Sequence, residues 1–233
     1  FNPSLPYLSF LCINFDAPVV KEAASWFLGG VFLNYNSSYL ERALEQMLDE
    51  ADSPEVTRFL RAVDVRIDGF RVEKAPEGRG QRVFVKHEVD GKGYELRLSE
   101  ESAGTQKLMG LAAFLLAALE RGGTVVVDEL DAKLHPKLLR YVILLFKDPE
   151  VNKHGAQLIF SSQDVSTMRN DVFRRDEIWF AARGEGEASQ LWSLADIHET
   201  NGNLVSKNAA FDKQYLSGRY GADPYLTRIE EWN

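Results

Sequence analysis

The spacing of apolar positions changes period twice along the chain, and each change marks a change of expected structure. Residues 1–35 are mixed and aromatic-rich. Within them the Asp16-Ala17-Pro18 turn predicts a helix from about Val19 to Trp26 or Phe27, with no further placement on a fold. Asn36-Ser37-Ser38 offers an N-cap, and Leu40, Ala43, Leu44, Met47 and Leu48 recur at helical spacing. Ser53-Pro54 opens a second amphipathic helix, carried by Phe59, Leu60 and Val63 and ending near Ala62.

Alternation then replaces the helical period. Val65, Ile67 and Phe70–Val72, then Val83, Val85 and Val89, then Tyr94, Leu96 and Leu98 predict three strands of an antiparallel meander joined by Gly-containing turns. From Leu98 the pattern changes again: a helix from Ser102 to about Glu120, a strand from Thr124 to Asp128, a helix from Pro136 to Phe146, and a strand from Gln157 to Ser161. Strands with unbroken apolar runs, alternating with helices, are the pattern of a parallel sheet covered on both faces. Strands over Glu177–Ala181 and Gln190–Trp192 and a helix near Asn208–Leu216 complete the expected elements, with no internal repeat.

Composition narrows the class. With 233 residues, 45% hydrophobic and 27% charged, the chain has the makings of one large domain or two small ones, and disorder or fibrous structure is excluded. The longest apolar run, Leu108 to Leu119, stops at Glu120-Arg121, short of the ~18–20 residues a membrane-spanning helix needs, so a soluble protein without a membrane partner is expected. A single cysteine, Cys12, allows neither an internal disulfide nor a cysteine-built zinc site, which makes a reducing, cytoplasmic setting the expectation. The net charge of −8 opposes a surface that grips nucleic acid overall. A local contact remains open at Arg58, Arg61, Arg66, Arg71, Lys74, Arg79 and Arg82, but Asp64, Asp68, Glu73 and Glu77 interrupt them, as on a solvated face.

The candidate chemistry begins at Thr124-Val125-Val126-Val127-Asp128-Glu129. Acids at the carboxyl end of a buried parallel strand emerge into the crevice where α/β proteins bind ligands. The first carboxylate can hold a hydrated Mg2+, and the second can orient and deprotonate an attacking water in phosphoryl transfer. Two acids also serve simply to begin a solvated loop. About 25 residues earlier, Ser102-Ala103-Gly104-Thr105-Gln106 opens the long apolar helix, with Ser102 as N-cap and small residues that let an anion approach free backbone N–H groups. Leu130-Asp131 with Lys133-Leu134-His135-Pro136, and Phe160-Ser161-Ser162-Gln163, would lie along the same rim. His135 reads as a helix-start residue, and His87, His154 and His198 read as surface or loop positions.

In this order the segments resemble the signature, Walker B, D-loop and switch segments of ABC-type ATPase heads. The tail Arg174–Phe180, with Ser193-Leu194 and Tyr215–Ala222, resembles more narrowly the RloA-like AAA/ABC ATP-binding proteins of bacteria, including restriction-associated ATPases and those of PARIS-type phage-defence operons. The resemblance is weak through residue 90 and strong from Leu98 on. It implies an α/β, P-loop NTPase (ABC-ATPase-like) carboxyl lobe over 98–233, preceded over 1–97 by a helical and antiparallel-β insertion. It implies ATP and Mg2+ as cofactors, with Asp128 assisting the ion through water and Glu129 as general base. Ser102, Ala103, Gly104 and Thr105 would meet the nucleotide of a partner head, and Asp131 would couple the two sites. The implied partners are a second copy of the chain and a nuclease or toxin effector in antiviral defence.

The chain departs from the pattern twice. No Gly-x-x-x-x-Gly-Lys-Ser/Thr occurs, and Gly91-Lys92-Gly93 falls in an expected strand turn, so the P-loop is expected in a preceding lobe, roughly the first two-fifths of a longer polypeptide. Gln163 stands where such heads place a switch histidine; it can hydrogen-bond a phosphate or water but cannot relay a proton near neutral pH, which points to slow turnover. The expected function is an ATP-binding and ATP-hydrolysing subunit, with a non-hydrolysing nucleotide-gated scaffold and a DNA-repair clamp of the SMC or RecF kind as alternatives. The clamp reading lacks heptad arms and a dominant basic face.

Overall fold

The computed structural model describes residues 18–34, 54–63, 67–74, 81–183, 188–199 and 202–222. The helix expected over residues 40–48 and Tyr225 lie outside them. The chain divides into two compact units, Phe1–Gln163 and Asp164–Asn233. The boundary read at residue 97 falls inside the first.

The first unit is organised around a parallel sheet in the order β1 (Val31–Asn34), β5 (Thr124–Val127), β6 (Gln157–Phe160). On β5, Val125 and Val127 are buried and Val126 is half-buried, as a strand covered on both faces requires. The register aligns Asn34 with Val127 and Val127 with Phe160, so the strands end level and the residues after β5 and β6 leave the sheet side by side. β1 is a strand that the sequence pattern left unplaced: four residues, Val-Phe-Leu-Asn, are too short for a period to show. It directly follows α1 (Pro18–Gly29).

The helix before β5, α3 (Ala103–Arg121), follows α2 (Pro54–Ala62) and the meander in chain order. Leu108, Met109, Leu111, Ala112, Leu115 and Ala118 are all fully or almost fully buried. A helix apolar over so much of its circumference belongs inside, and truncating Leu111 or Leu115 to Ala would cost about 2–5 kcal/mol. Ser102 caps its N-terminus by accepting the Thr105 N–H at 3.1 Å, and Gly122 ends it at φ 73°, with the Gly122 N–H donating to the Ala118 carbonyl. A side chain at 122 would strike the His154 carbonyl at 2.4 Å, so only glycine fits there. After β5 the chain turns through residues 128–135 and enters α4 (Pro136–Lys147), with proline at its first turn, before returning as β6.

The meander is β2 (Gly69–Lys74), β3 (Gln81–Val89) and β4 (Lys92–Arg97), paired in that order. Asp90 (φ 52°) and Gly91 (φ 72°) form a two-residue hairpin turn between paired Val89 and Lys92, which places Gly91-Lys92 in a strand connection and not in a phosphate loop. Leu98, expected as a strand residue, instead starts a short 3₁₀ turn, Leu98–Glu100. Phe70 and Val85 are buried side by side on one face. The other face carries Arg71, which bonds Glu95 at 2.8 Å, contacts Glu73 and lies 4.1 Å over the Phe84 ring; beside the sheet, Arg61 bonds Asp68 at 2.8 Å. Arg61 and Arg71 are thus held by carboxylates, Asp68, Glu73 and Glu95, while Arg66 and Arg79 lie outside the described residues. Each such exposed pair contributes about 0–1 kcal/mol.

The second unit is a smaller core. β7 (Trp179–Arg183) and β8 (Ser189–Ser193) pair antiparallel, and α5 (Phe211–Leu216) follows. Phe180 stacks on Tyr215 at 5.7 Å and packs against Tyr220 at 5.3 Å and Trp192 at 6.2 Å. The tail aromatics therefore serve the core. Tyr220 is buried and donates its hydroxyl to Gln214 at 2.7 Å; burial pushes its pKa up to about 12, with Glu199 and Asp212 adding to the shift and Arg219 opposing it. A raised folded-state value means this group's stabilising contribution is complete below pH 10, the unperturbed value, and is lost as pH rises through 12. Tyr220→Phe should flatten that alkaline loss in a pH series of thermal midpoints; an unchanged alkaline limb would show that another group carries it.

No helix among the described residues is long and apolar enough to cross a membrane.

Candidate functional site

The level ends of β5 and β6 bring Asp128 and Ser161 together. The Ser161 hydroxyl donates to Asp128 Oδ1 at 2.5 Å and accepts the Glu129 N–H at 2.7 Å. The Ser161 N–H donates to the Val127 carbonyl, and the Ser161 carbonyl accepts the Leu130 N–H at 3.0 Å. One serine thus holds the backbone on both sides of the two acids and one oxygen of the first. Asp128 and Glu129 are both exposed, at the mouth of a buried strand.

Glu129 adopts φ 50° and Lys133 φ 65°, left-handed conformations in non-glycine residues within one turn. Such backbone costs about 1–3 kcal/mol and persists only where the surroundings fix it. At Glu129 the surroundings do so from two directions: Ser161 takes its N–H, and Lys107, on α3, donates its Nζ to the Glu129 carbonyl at 2.5 Å. Burial lowers the Lys107 pKa; the carboxylates of Asp131 and Glu129 act against that shift and Lys133 adds to it. Asp131 is half-buried, and its Oδ1 is enclosed with no hydrogen-bond partner among the described residues.

The start of α3 lies against this loop. A Cβ at Gly104 would sit 2.9 Å from the Lys133 carbonyl oxygen, so glycine is required for the helix and the loop to approach this closely. Between them opens a cleft of about 620 Å³. Ser102, Gly104, Thr105, Lys133, His135 and Lys137 line its polar side, and Ala62, Val63, Leu108, Leu138 and Tyr141 its apolar side. A helix N-terminus flanked by two lysines is an electrostatic fit for an anion. His135 is the N-cap of α4, its Nδ1 accepting the Lys137 N–H at 3.2 Å, as its place before Pro136 suggested. His87 departs from expectation: it is half-buried on β3 and its Nε2 lies 2.6 Å from Glu101 Oε1, next to the Ser102 cap.

Mg2+ takes oxygen ligands, of which a protein commonly supplies one or two carboxylates while phosphates and water supply the rest. Among the described residues no three His, Cys, Asp or Glu converge as a cage. Asp128, exposed and with one oxygen already held by Ser161, has the donor chemistry that a largely hydrated Mg2+ takes. Gln163 is exposed, two residues beyond Ser161. Ser102, Gly104, Asp128, Glu129 and Asp131 stand out in the sequence, whereas Lys107 and the bridging role of Ser161 do not. A lysine five residues past a helix cap carries no local mark of its contact 22 residues downstream.

A parallel sheet whose central strand ends in paired acids, beside the capped start of a buried helix, is the arrangement of a P-loop NTPase of the ABC-ATPase-like kind. Residues 11–169, more than half of the chain, match the family described as "AAA domain, putative AbiEii toxin, Type IV TA system". The chain belongs to that family of AAA ATPase domains. No curated protein matches it. Solved structures similar to it include three from SMC proteins, each 16% identical. One comes from work on the "structural biochemistry of ATP-driven dimerization and DNA stimulated activation of SMC ATPases" (TM-score 0.40, 68% of this chain, 89% of that one). Another is the Smc head with a coiled coil and joint from Pyrococcus yayanosii (TM-score 0.41, 71% and 28%). The third is an SmcHead bound to the C-winged helix domain of ScpA (TM-score 0.38, 67% and 42%).

Proposed function

We propose that the chain is part of an ATP-hydrolysing, ABC-type ATPase subunit in which nucleotide is enclosed between two heads. The observation that carries this reading is the acid pair at the end of β5, held by Ser161 and Lys107 in a loop pressed against the N-terminus of α3. Asp128 holds a hydrated Mg2+, which when bound neutralises charge on the phosphate oxygens. Glu129 orients a water and accepts its proton, and Gln163 hydrogen-bonds that water or the γ-phosphate. The same chain offers its α3 start, Ser102 to Thr105, with Lys133 and Lys137 beside it, to the nucleotide of a second copy. Asp131, between the two, couples them.

The family's description in terms of type IV toxin–antitoxin systems and the tail's resemblance to phage-defence ATPases support a setting in bacterial defence, where head closure controls a nuclease or toxin effector. The protein then works in the cytoplasm.

Gln163 favours one second reading, a nucleotide-gated scaffold that binds ATP to hold an effector and turns over little, because an amide relays no proton. Phosphate release by the full-length native protein separates the two. On the ATPase reading the wild type turns over and Gln163→His raises kcat, by about tenfold. Tight ATP binding without turnover, with hydrolysis appearing only in Gln163→His, would establish the scaffold instead.

A further inference from the structure

We infer that Lys107 is a positioning residue for Glu129, fixing the peptide from which that carboxylate projects and tying the start of α3 to the catalytic end of β5. The inference rests on the reading of Glu129 as the base.

Three observations carry it. The Lys107 Nζ donates to the Glu129 carbonyl at 2.5 Å, across 22 residues of sequence. That carbonyl belongs to a residue at φ 50°, which must be held to stay there, and its N–H is already taken by Ser161. The lysine is half-buried, so its ammonium has given up part of its hydration to stand beside a carbonyl, with the Asp131 and Glu129 carboxylates acting on it. A lysine on an amphipathic helix can ordinarily extend to water. Here it is drawn into the loop that carries Asp128, Glu129 and Asp131, the last of which has an enclosed oxygen without a donor among the described residues.

The placement has a consequence for the two-headed reading. Lys107 lies two residues, about half a turn, beyond the segment Ser102–Thr105, which the proposed function assigns to the partner's nucleotide. A displacement of the helix start on docking is delivered through Lys107 to the carbonyl of Glu129, so occupancy of one site adjusts the base of the other. On this reading Lys107 contacts neither the nucleotide nor the attacking water. Its loss is expected in the rate of the chemical step and not in binding.

The test uses the full-length native protein and reads kcat, the KM for ATP, nucleotide affinity and the thermal midpoint for Lys107→Met, Lys107→Arg, Glu129→Gln and the double variant Lys107→Met with Glu129→Gln. Lys107→Met lowers kcat by about 10- to 100-fold with KM and nucleotide affinity unchanged. Arg, which keeps the charge and a donor, restores kcat to within about threefold of wild type. The double variant is no slower than Glu129→Gln alone, because both changes act through one group. If Lys107→Met does not fold, Lys107→Gln, a neutral donor, is read by the same criteria. Unchanged kcat in Lys107→Met beside an inactive Glu129→Gln overturns the inference and leaves the functional reading standing. A fall in kcat, affinity and thermal midpoint together makes the lysine merely structural and overturns it too. Full turnover in Glu129→Gln removes the base, and the inference with it.

Discussion

Glu129→Gln in the full-length native protein should lower the turnover number for ATP hydrolysis by about 10²- to 10⁴-fold, the usual worth of a general base, while nucleotide stays bound. The substitution is nearly isosteric. It keeps the φ 50° backbone, the N–H to Ser161 and the carbonyl to Lys107, because none of these uses the side-chain carboxylate. What it removes is the capacity to accept a proton. The residue is exposed, so stability should change by no more than about 0.5 kcal/mol. Phosphate release read with the thermal midpoint separates these effects. A rate loss accompanied by unfolding would mean that the loop and not the base had failed, and an undiminished rate would exclude Glu129 as the base.

The second large effect is expected at Gly104. An alanine Cβ would meet the Lys133 carbonyl at 2.9 Å, and a backbone atom cannot swing away as a side-chain tip can. Either the first turn of α3 or the loop through Lys133 must shift. Overpacking of this kind costs about 1–3 kcal/mol, and alanine recovers up to about 1 kcal/mol of helix propensity over glycine, so the net cost in stability is about 0–2 kcal/mol. The site has no such compensation. A displacement on the order of 1 Å is worth about 100-fold in rate, and the helix start and the acid loop are the two surfaces displaced. Gly104→Ala should therefore remain folded, with a thermal midpoint within a few degrees of wild type, and lose about two orders of magnitude in turnover. Retained turnover would show that the close approach serves packing alone.

Much of the architecture was legible from periodicity because the elements are strongly patterned. The ten buried positions of α3, the unbroken run Thr124–Val127 and the alternation of the meander each state their structure in one residue type after another. β1 was not legible: its four residues gain their meaning from pairing with β5, nearly a hundred residues away in sequence. The same division holds at the site. Asp128 and Glu129 were visible because a strand ends in acids, and Ser102 because a cap precedes an apolar helix. Ser161 and Lys107 matter through tertiary contacts, one bridging β6 to β5 and the other reaching from α3 to the loop, and neither contact leaves a local signature. His87, read as a surface position, is drawn inward by Glu101 for the same reason.

On the proposed function this chain supplies two different halves of a shared nucleotide site: the acid pair after β5 for its own head and the start of α3 for the other. The most direct test is the mass of the full-length native protein by light scattering, with and without ATP and Mg2+, in a Glu129→Gln background where bound nucleotide is not consumed. ATP is expected to double the mass, and adding Ser102→Arg, which blocks the exposed helix start with a bulky side chain, is expected to abolish the doubling while leaving nucleotide binding to the single head intact. A mass indifferent to ATP, or a doubling that survives Ser102→Arg, would contradict it.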